Sequence, residues 1–233
     1  MYTHTMSEPV INERERSHAE ELVKGHVPIR EWWFRKSALL TFLFNASSAT
    51  VPEGERFIVR AADDARKLIT DEVLQKEAET LMHEETAHAR MHDAYNRYLE
   101  DLGFPALKYN AETKALLLFF ERRFSLKTRL AVCAMIEHFT AIFSKQVLDT
   151  GVLEGEDTDE RMDRVWSWHC LEELDHRSTI FDMYRQLNGG YIRRVSAAFF
   201  VSILFAIIHT RCLLVFLDTK NLLWKWHTWK TGM

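Results

Sequence analysis

His83-Glu84-Glu85-Thr86-Ala87-His88-Ala89-Arg90-Met91-His92 and its later echo, His169-Cys170-Leu171-Glu172-Glu173-Leu174-Asp175-His176, decide the fold. Each holds Glu-x-x-His: Glu85 with His88, and Glu173 with His176. Residues three or four apart share one face of an α-helix, so a carboxylate and an imidazole can reach one metal ion. Two such helices, each matched with a helix bearing a single inward Glu, form the di-metal site of a four-helix bundle. Glu55 and Glu137 are the candidates for that single Glu. One Glu-x-x-His arises readily by chance. Two of them, each preceded by a helix with a suitable Glu, make a strong signal.

The rest of the chain supports helix throughout. It has only 8 Gly and 4 Pro in 233 residues, and no run of strand-like alternation. That length can bury one core, so residues 29–233 read as a single domain behind a polar, loosely ordered arm at 1–28. Ile29 to Ala46 is apolar and aromatic and reads as a buried helix, broken by Ser47-Ser48-Ala49-Thr50. Thr50 is then a cap, Pro52 suits a first turn and Glu53 a capping box, for a helix to about Ile69 that carries Glu55. Asp71 caps the next helix, which Gly103 stops. At roughly 30 residues that helix spans about 45 Å, a bundle length. Asn110 caps a short helix to about Phe124, and Ser125 starts another that carries Glu137 and ends near Gly151. An acidic loop, residues 154–160, leads to the fourth bundle helix, Asp159 to Leu187, closed by Gly189-Gly190.

Residues 195–217 form an apolar C-terminal helix, preceded by Arg193 and Arg194 and followed by Trp224, Lys225, Trp226, Trp229 and Lys230. Length and flanks suit a membrane, while Arg211 inside the run suits a packed bundle helix. A packed helix, peripheral membrane contact and a true span are the three readings, in that order.

Carboxylates mixed with imidazoles suit iron, with manganese or zinc as alternatives. Glu85 and Glu173 are expected to bridge two ions, Glu55 and Glu137 to bind one each, and His88 and His176 to give one nitrogen each. His169 lies four residues before Glu173, and His92 four after His88. Either serves as a further ligand or as a donor that orients a carboxylate. Glu84 and Glu172 point about 100° away from their neighbouring ligands and are expected to be salt-bridged or solvated. His83 and His138 read as ordinary surface or core histidines. Cys133, one turn before Glu137, reads as a small core filler.

Gly54-Glu55-Arg56-Phe57, Glu84 to Arg90 with His92 and Asn96, Glu137-His138-Phe139-Thr140-Ala141, and Trp168-His169 through His176 to Phe181-Asp182-Met183-Tyr184 resemble a bacterial family, the predicted metal-dependent hydrolases, over about residues 30–217. The spacing His169-x-x-x-Glu173-x-x-His176 is also similar to that of the ferritin-like di-iron arylamine N-oxygenases. That likeness implies His169 as a ligand beside Glu55, Glu85, His88, Glu137, Glu173 and His176.

The expectation is therefore an all-α, ferritin-like four-helix bundle with additional N- and C-terminal helices and two iron ions. Its leading function is a di-iron oxidase or oxygenase that uses dioxygen on a small, hydrophobic organic substrate. A binuclear metal-dependent hydrolase and a non-catalytic iron-binding protein are the alternatives. The mild net charge of −4 gives nucleic-acid binding no support. Three cysteines with no signal peptide point to a cytoplasmic protein, with membrane association through 195–217 left open. Long bundle helices make a homodimer plausible.

Overall fold

The computed structural model describes residues 29, 32–34 and 37–230. The expected arm at 1–28 lies outside them. Among the described residues the chain is all helix: α1 (Ala38–Thr50), α2 (Pro52–Arg66), α3 (Glu72–Asp101), α4 (Ala106–Arg123), α5 (Leu126–Thr150), α6 (Glu160–Gln186), α7 (Tyr191–Thr219) and the short α8 (Trp226–Lys230). Helices α2, α3, α6 and α5 pack in a ring, α4 lies against α1, α2 and α3, and α7 packs along α1 and α5.

The first helix begins later than expected and ends later. Ser37 caps it by accepting from Leu40 N. Upstream, Phe34 forms a bridge with Thr158, and Trp33 O accepts from Asp159 N at 2.7 Å. The Ser/Thr run does not break the helix, because Ser47 and Thr50 turn their hydroxyls back onto the carbonyls of Leu43 and Ala46. Thr50 is thus no cap for α2. Val51 takes that place without a side-chain bond, Pro52 follows at the first position, and Glu53 pairs with Arg56 at 2.8 Å. Helix α4 starts at Ala106, not Asn110: Gly103 turns the chain at φ 88°, and Glu100 Oε1 accepts from Leu107 N. The caps Asp71 and Asp159 and the left-handed Gly151 stand where the sequence puts them.

Two apolar clusters fill the bundle. One gathers Trp33, Phe42, Phe44, Tyr95, Phe104, Trp166 and Phe216. The other gathers Phe57, Leu81, Leu117, Leu130, Ile180, Met183 and Tyr184. Each fully buried large side chain contributes about 1.5–3 kcal/mol. On α3 the residues between Leu81 and Tyr95, and on α6 those between Trp166 and Ile180 apart from Cys170, separate the clusters. Those two intervals hold the four histidines of the site described below together with Glu85 and Glu173, while its Glu55 and Glu137 come from α2 and α5.

Helix α7 is long and apolar enough to cross a membrane by length and composition, with a mean hydropathy of 2.3 over 18 residues. It is not buried all round, as a central bundle helix would be. Ala197, Val201, Cys212, Phe216 and Leu217 face the protein, and the opposite side is exposed.

Candidate metal centre

All eight expected ligands are buried: Glu55 on α2, Glu85, His88 and His92 on α3, Glu137 on α5, and His169, Glu173 and His176 on α6. Ligand atoms of Glu55, His88, His169 and Glu173 lie within 4.8 Å of one another. So do those of Glu85, His88, Glu173 and His176. The two sets overlap at His88 and Glu173. Glu137 and His92 stand outside both sets. His92 Nε2 is 3.5 Å from Glu55 Oε1, and Glu137 feels the charge of Glu85 and His176.

Two hydrogen bonds cross the seam between α3 and α6. His88 Nε2 bonds Glu172 Oε2 at 2.9 Å, and His176 Nε2 bonds Glu84 Oε2 at 3.0 Å. A carboxylate only accepts, so both Nε2 atoms carry protons and both Nδ1 atoms turn inward. His176 Nδ1 lies 2.6 Å from Glu85 Oε1, off the line of a hydrogen bond, and His88 Nδ1 lies 3.5 Å from Glu173 Oε1. Glu84 and Glu172 were expected to face away. They are paired, but with the imidazole of the opposite helix. A 100° turn from the bundle axis leads into the neighbouring helix as readily as into water. The doubled Glu-Glu-x-x-His is the sequence signal for this pairing, because the same acid precedes the same ligand twice.

His92 is oriented by α1. Asn96 Nδ2 donates to Ser48 O, Ser48 Oγ donates to Asn96 Oδ1 at 3.1 Å, and His92 Nδ1 meets Ser48 Oγ at 2.9 Å. Ser48 has one proton, which it spends on Asn96, so His92 Nδ1–H donates to Ser48. The bare Nε2 then faces Glu55. His169 packs edge-on to His88 with ring centroids 4.3 Å apart, and its Nε2 is 3.5 Å from Glu173 Oε1.

Buried acceptors face one another here without donors. Both oxygens of Glu55, Glu85 and Glu137 lack hydrogen-bond partners, as do Glu173 Oε2, His88 Nδ1, His92 Nε2, His169 Nδ1 and His176 Nδ1. Burial, then the charge of Glu85, raises the carboxyls of Glu55 and Glu137 well above the usual range. Burial and Glu173 raise Glu85. Burial opposes charge on His88 and His176, but the bond to Glu172 and the nearby carboxylates of Glu173 and Glu85 lift His88 to about 10, and the bond to Glu84 and the nearby carboxylate of Glu85 lift His176. Glu173 goes the other way: burial is outweighed by the nearby imidazoles of His88, His169 and His176. Burial and the charge on His88 lower His169, and lower His92 to about 3. A cluster of acceptors that keeps protons in place of partners fits divalent cations, and its oxygen and imidazole donors suit iron, manganese or zinc.

A cavity of about 80 Å³ meets this centre at Glu55, Glu85 and Glu173. Its walls are chiefly apolar, with Ile58, Leu117, Val132 and Ile136 from the bundle and Phe200, Leu204 and Phe205 from α7. His209 and Thr50 also line it, bonded at 3.0 Å. Sequence reasoning passed over this pair, because His209 reads only as an interruption in an apolar run.

A family model described as "Predicted metal-dependent hydrolase" matches residues 22–233. No curated protein and no solved structure matches the chain. The family match overturns the expectation of a dioxygen-using di-iron oxidase, since its description names hydrolysis and the donor set serves redox-inert ions equally well. It spans every residue of the centre and nearly all of the chain, and so the protein belongs to the family of predicted metal-dependent hydrolases.

Proposed function

We propose that the chain is a binuclear metal-dependent hydrolase acting on a small, largely apolar substrate. The observation that carries this reading is the overlap of two buried four-residue ligand sets through His88 and Glu173. Glu55, Glu85, Glu137 and Glu173 together bring four carboxylates, the charge that two divalent ions neutralise. Glu55, His88, His169 and Glu173 would hold one ion, with His92 beside Glu55. Glu85, Glu173 and His176 would hold the other, with Glu137 completing it. Bound there, iron, manganese or zinc would supply Lewis acidity, polarising a scissile group and making water acidic enough to ionise near neutral pH.

The chain's own residues set up that chemistry. Glu172 and Glu84 keep the Nε2 protons of His88 and His176 in place, so both Nδ1 lone pairs point at the centre. Ser48 does the same for His92. The apolar walls exclude bulk water and hold a substrate with its scissile group toward Glu55, Glu85 and Glu173. Glu137 has two unpartnered oxygens, so beside a bound ion it would also be placed to accept a proton from water.

The test is to load metal-free protein with zinc under nitrogen and assay nitrophenyl esters of increasing chain length, an anilide, and a nitrophenyl phosphodiester. Turnover is expected without oxygen, stopped by chelator and restored by zinc, and reduced about 100-fold or more in Glu85→Gln. Protein that carries two zinc ions per chain and cleaves none of these substrates would overturn the reading.

A further inference from the structure

We propose that α7 lies flat on an anionic lipid bilayer, and that the cavity takes in part of the apolar tail of an amphiphile from that bilayer. The second clause rests on the hydrolase reading; the first does not.

The outer side of α7 is a chiefly apolar stripe, interrupted at Thr210 and Arg211. Val195, Phe199, Ile203, Ile207 and Leu214 recur at helical spacing, and all are exposed, Phe199 to 70%. Only 22% of the most apolar 18-residue window is buried, yet the inner side packs along α1 and α5. Among the described residues α7 is the one helix apolar enough to span, and it packs on a bundle of charged helices that crossing would carry into the bilayer, so it lies in the membrane surface.

Charge selects the occupant. The chain as a whole is net −4, but residues 191–230 hold Arg193, Arg194, Arg211, Lys220, Lys225 and Lys230 against one acid, Asp218. Cations therefore flank the stripe at both ends, where an anionic headgroup layer would meet them. Trp224 and Trp226 are 90% and 73% exposed beside the C-terminal cations, at the level where indoles favour a membrane interface. A second copy fits poorly. Pairing α7 with itself in either direction sets cations on cations at both ends.

The stripe is also continuous with the cavity. Phe200 is 42% exposed beside Phe199 and lines the cavity, together with Val201, Leu204 and Ile208 from the inner flank of α7. Thr113, Leu116 and Ile208 line both the cavity and a groove between α4 and α7 that Arg211 borders. An amphiphile leaving the bilayer beside Phe200 would bring its scissile group to Glu55, Glu85 and Glu173 with its tail along the apolar walls, without crossing water.

The experiment has two arms, and neither reads turnover. In the first, the full chain is sedimented with phosphatidylcholine vesicles, with and without phosphatidylglycerol. Binding is expected to the anionic vesicles, weakened by salt, equal with and without chelator, and lowered about tenfold or more by F199E and by I203E. These positions are exposed, so the variants should keep wild-type helicity and elution volume. Equal binding to neutral vesicles, no binding at all, or a dimer that F199E dissociates would overturn the bilayer assignment. In the second, cis-parinaric acid, a fluorescent long-chain acid, is titrated into the protein. Saturable uptake is expected, lost in V201W, which fills the cavity, and weakened in F200E at its mouth. No uptake, or uptake unchanged in both variants, would overturn the amphiphile clause. If vesicles and probe bind but no substrate is cleaved, only the hydrolase reading fails.

Discussion

His88 and His176 each spend Nε2 on a carboxylate of the opposite helix, and this bond does more for the centre than hold two rings still. It selects the tautomer, and with it the nitrogen offered to a cation. Glu172→Gln keeps the size and removes the charge, so the ring is held less firmly. Metal affinity should fall about 10- to 100-fold, measured by competition with a chromophoric chelator, with helicity retained. An unchanged affinity would show that Glu172 does not hold the ring. His209 offers a pH test away from the ligands. Burial lowers its pKa from 6.5 to about 4, partly offset by its bond to Phe205 O. The unfolded chain therefore binds the proton more readily than the native one. The stability tied to a neutral His209 is complete above pH 6.5 and declines as pH falls toward 4. Urea midpoints at pH 7 and pH 5 should differ less in His209→Gln than in the wild type, and an equal difference would remove His209 as a cause. Six of the eight proposed ligands were picked out in the sequence because spacings of three and four place side chains on one helical face whatever packs against it, and Glu55 and Glu137 as the lone acids on the helices before each motif. Glu84 and Glu172 were not, because their direction has meaning only once a neighbouring helix occupies it.

Helix ends divide in the same way. Asp71 and Gly103 bound α3 through their own side chain and backbone, one accepting from Val73 N and Leu74 N, the other at φ 88°. Such local chemistry can be read without the fold. The start of α1 could not be, since Trp33 is held away from helix by contacts distant in sequence: its indole donates to Asn45 Oδ1, and its carbonyl accepts from Asp159. Thr50 likewise had two local uses, capping α2 or bonding back within α1, and its contact with His209 of α7 accompanies the second. The Gly189-Gly190 stop after α6 has a tertiary side too. A Cβ on Gly189 would stand 2.3 Å from the Tyr184 ring, whose hydroxyl donates to Gly190 O. Tyr184 is fully buried and cannot move aside. Gly189→Ala should therefore cost about 1–3 kcal/mol in urea unfolding, and a variant as stable as the wild type would show that the turn can shift.

Around the bundle axis, two apolar clusters close off a polar middle, and that middle is the weak point of the metal-free protein. Its carboxylates raise one another's pKa values, and protons stand where ions would. Any ion that binds the native centre and not the unfolded chain adds stability, about 4 kcal/mol at 1,000 times its dissociation constant. Chelation should lower the melting temperature by several degrees, and zinc should restore it. A melting temperature indifferent to both would argue against a metal centre. Binding must also displace the proton on His88, whose pKa stands at about 10, so affinity should rise with pH across the neutral range.

The amino-acid order alone was enough for an all-helical chain, for four helices with inward acids and imidazoles, and for a family likeness, because periodicity and capping act within a few residues. Only packing decided the rest. It chose the carboxylate that grips each imidazole, brought Ser48 to His92, laid one side of α7 over the cavity and left the other bare. Those outcomes join residues 44 to 159 positions apart, and no local rule reaches that far.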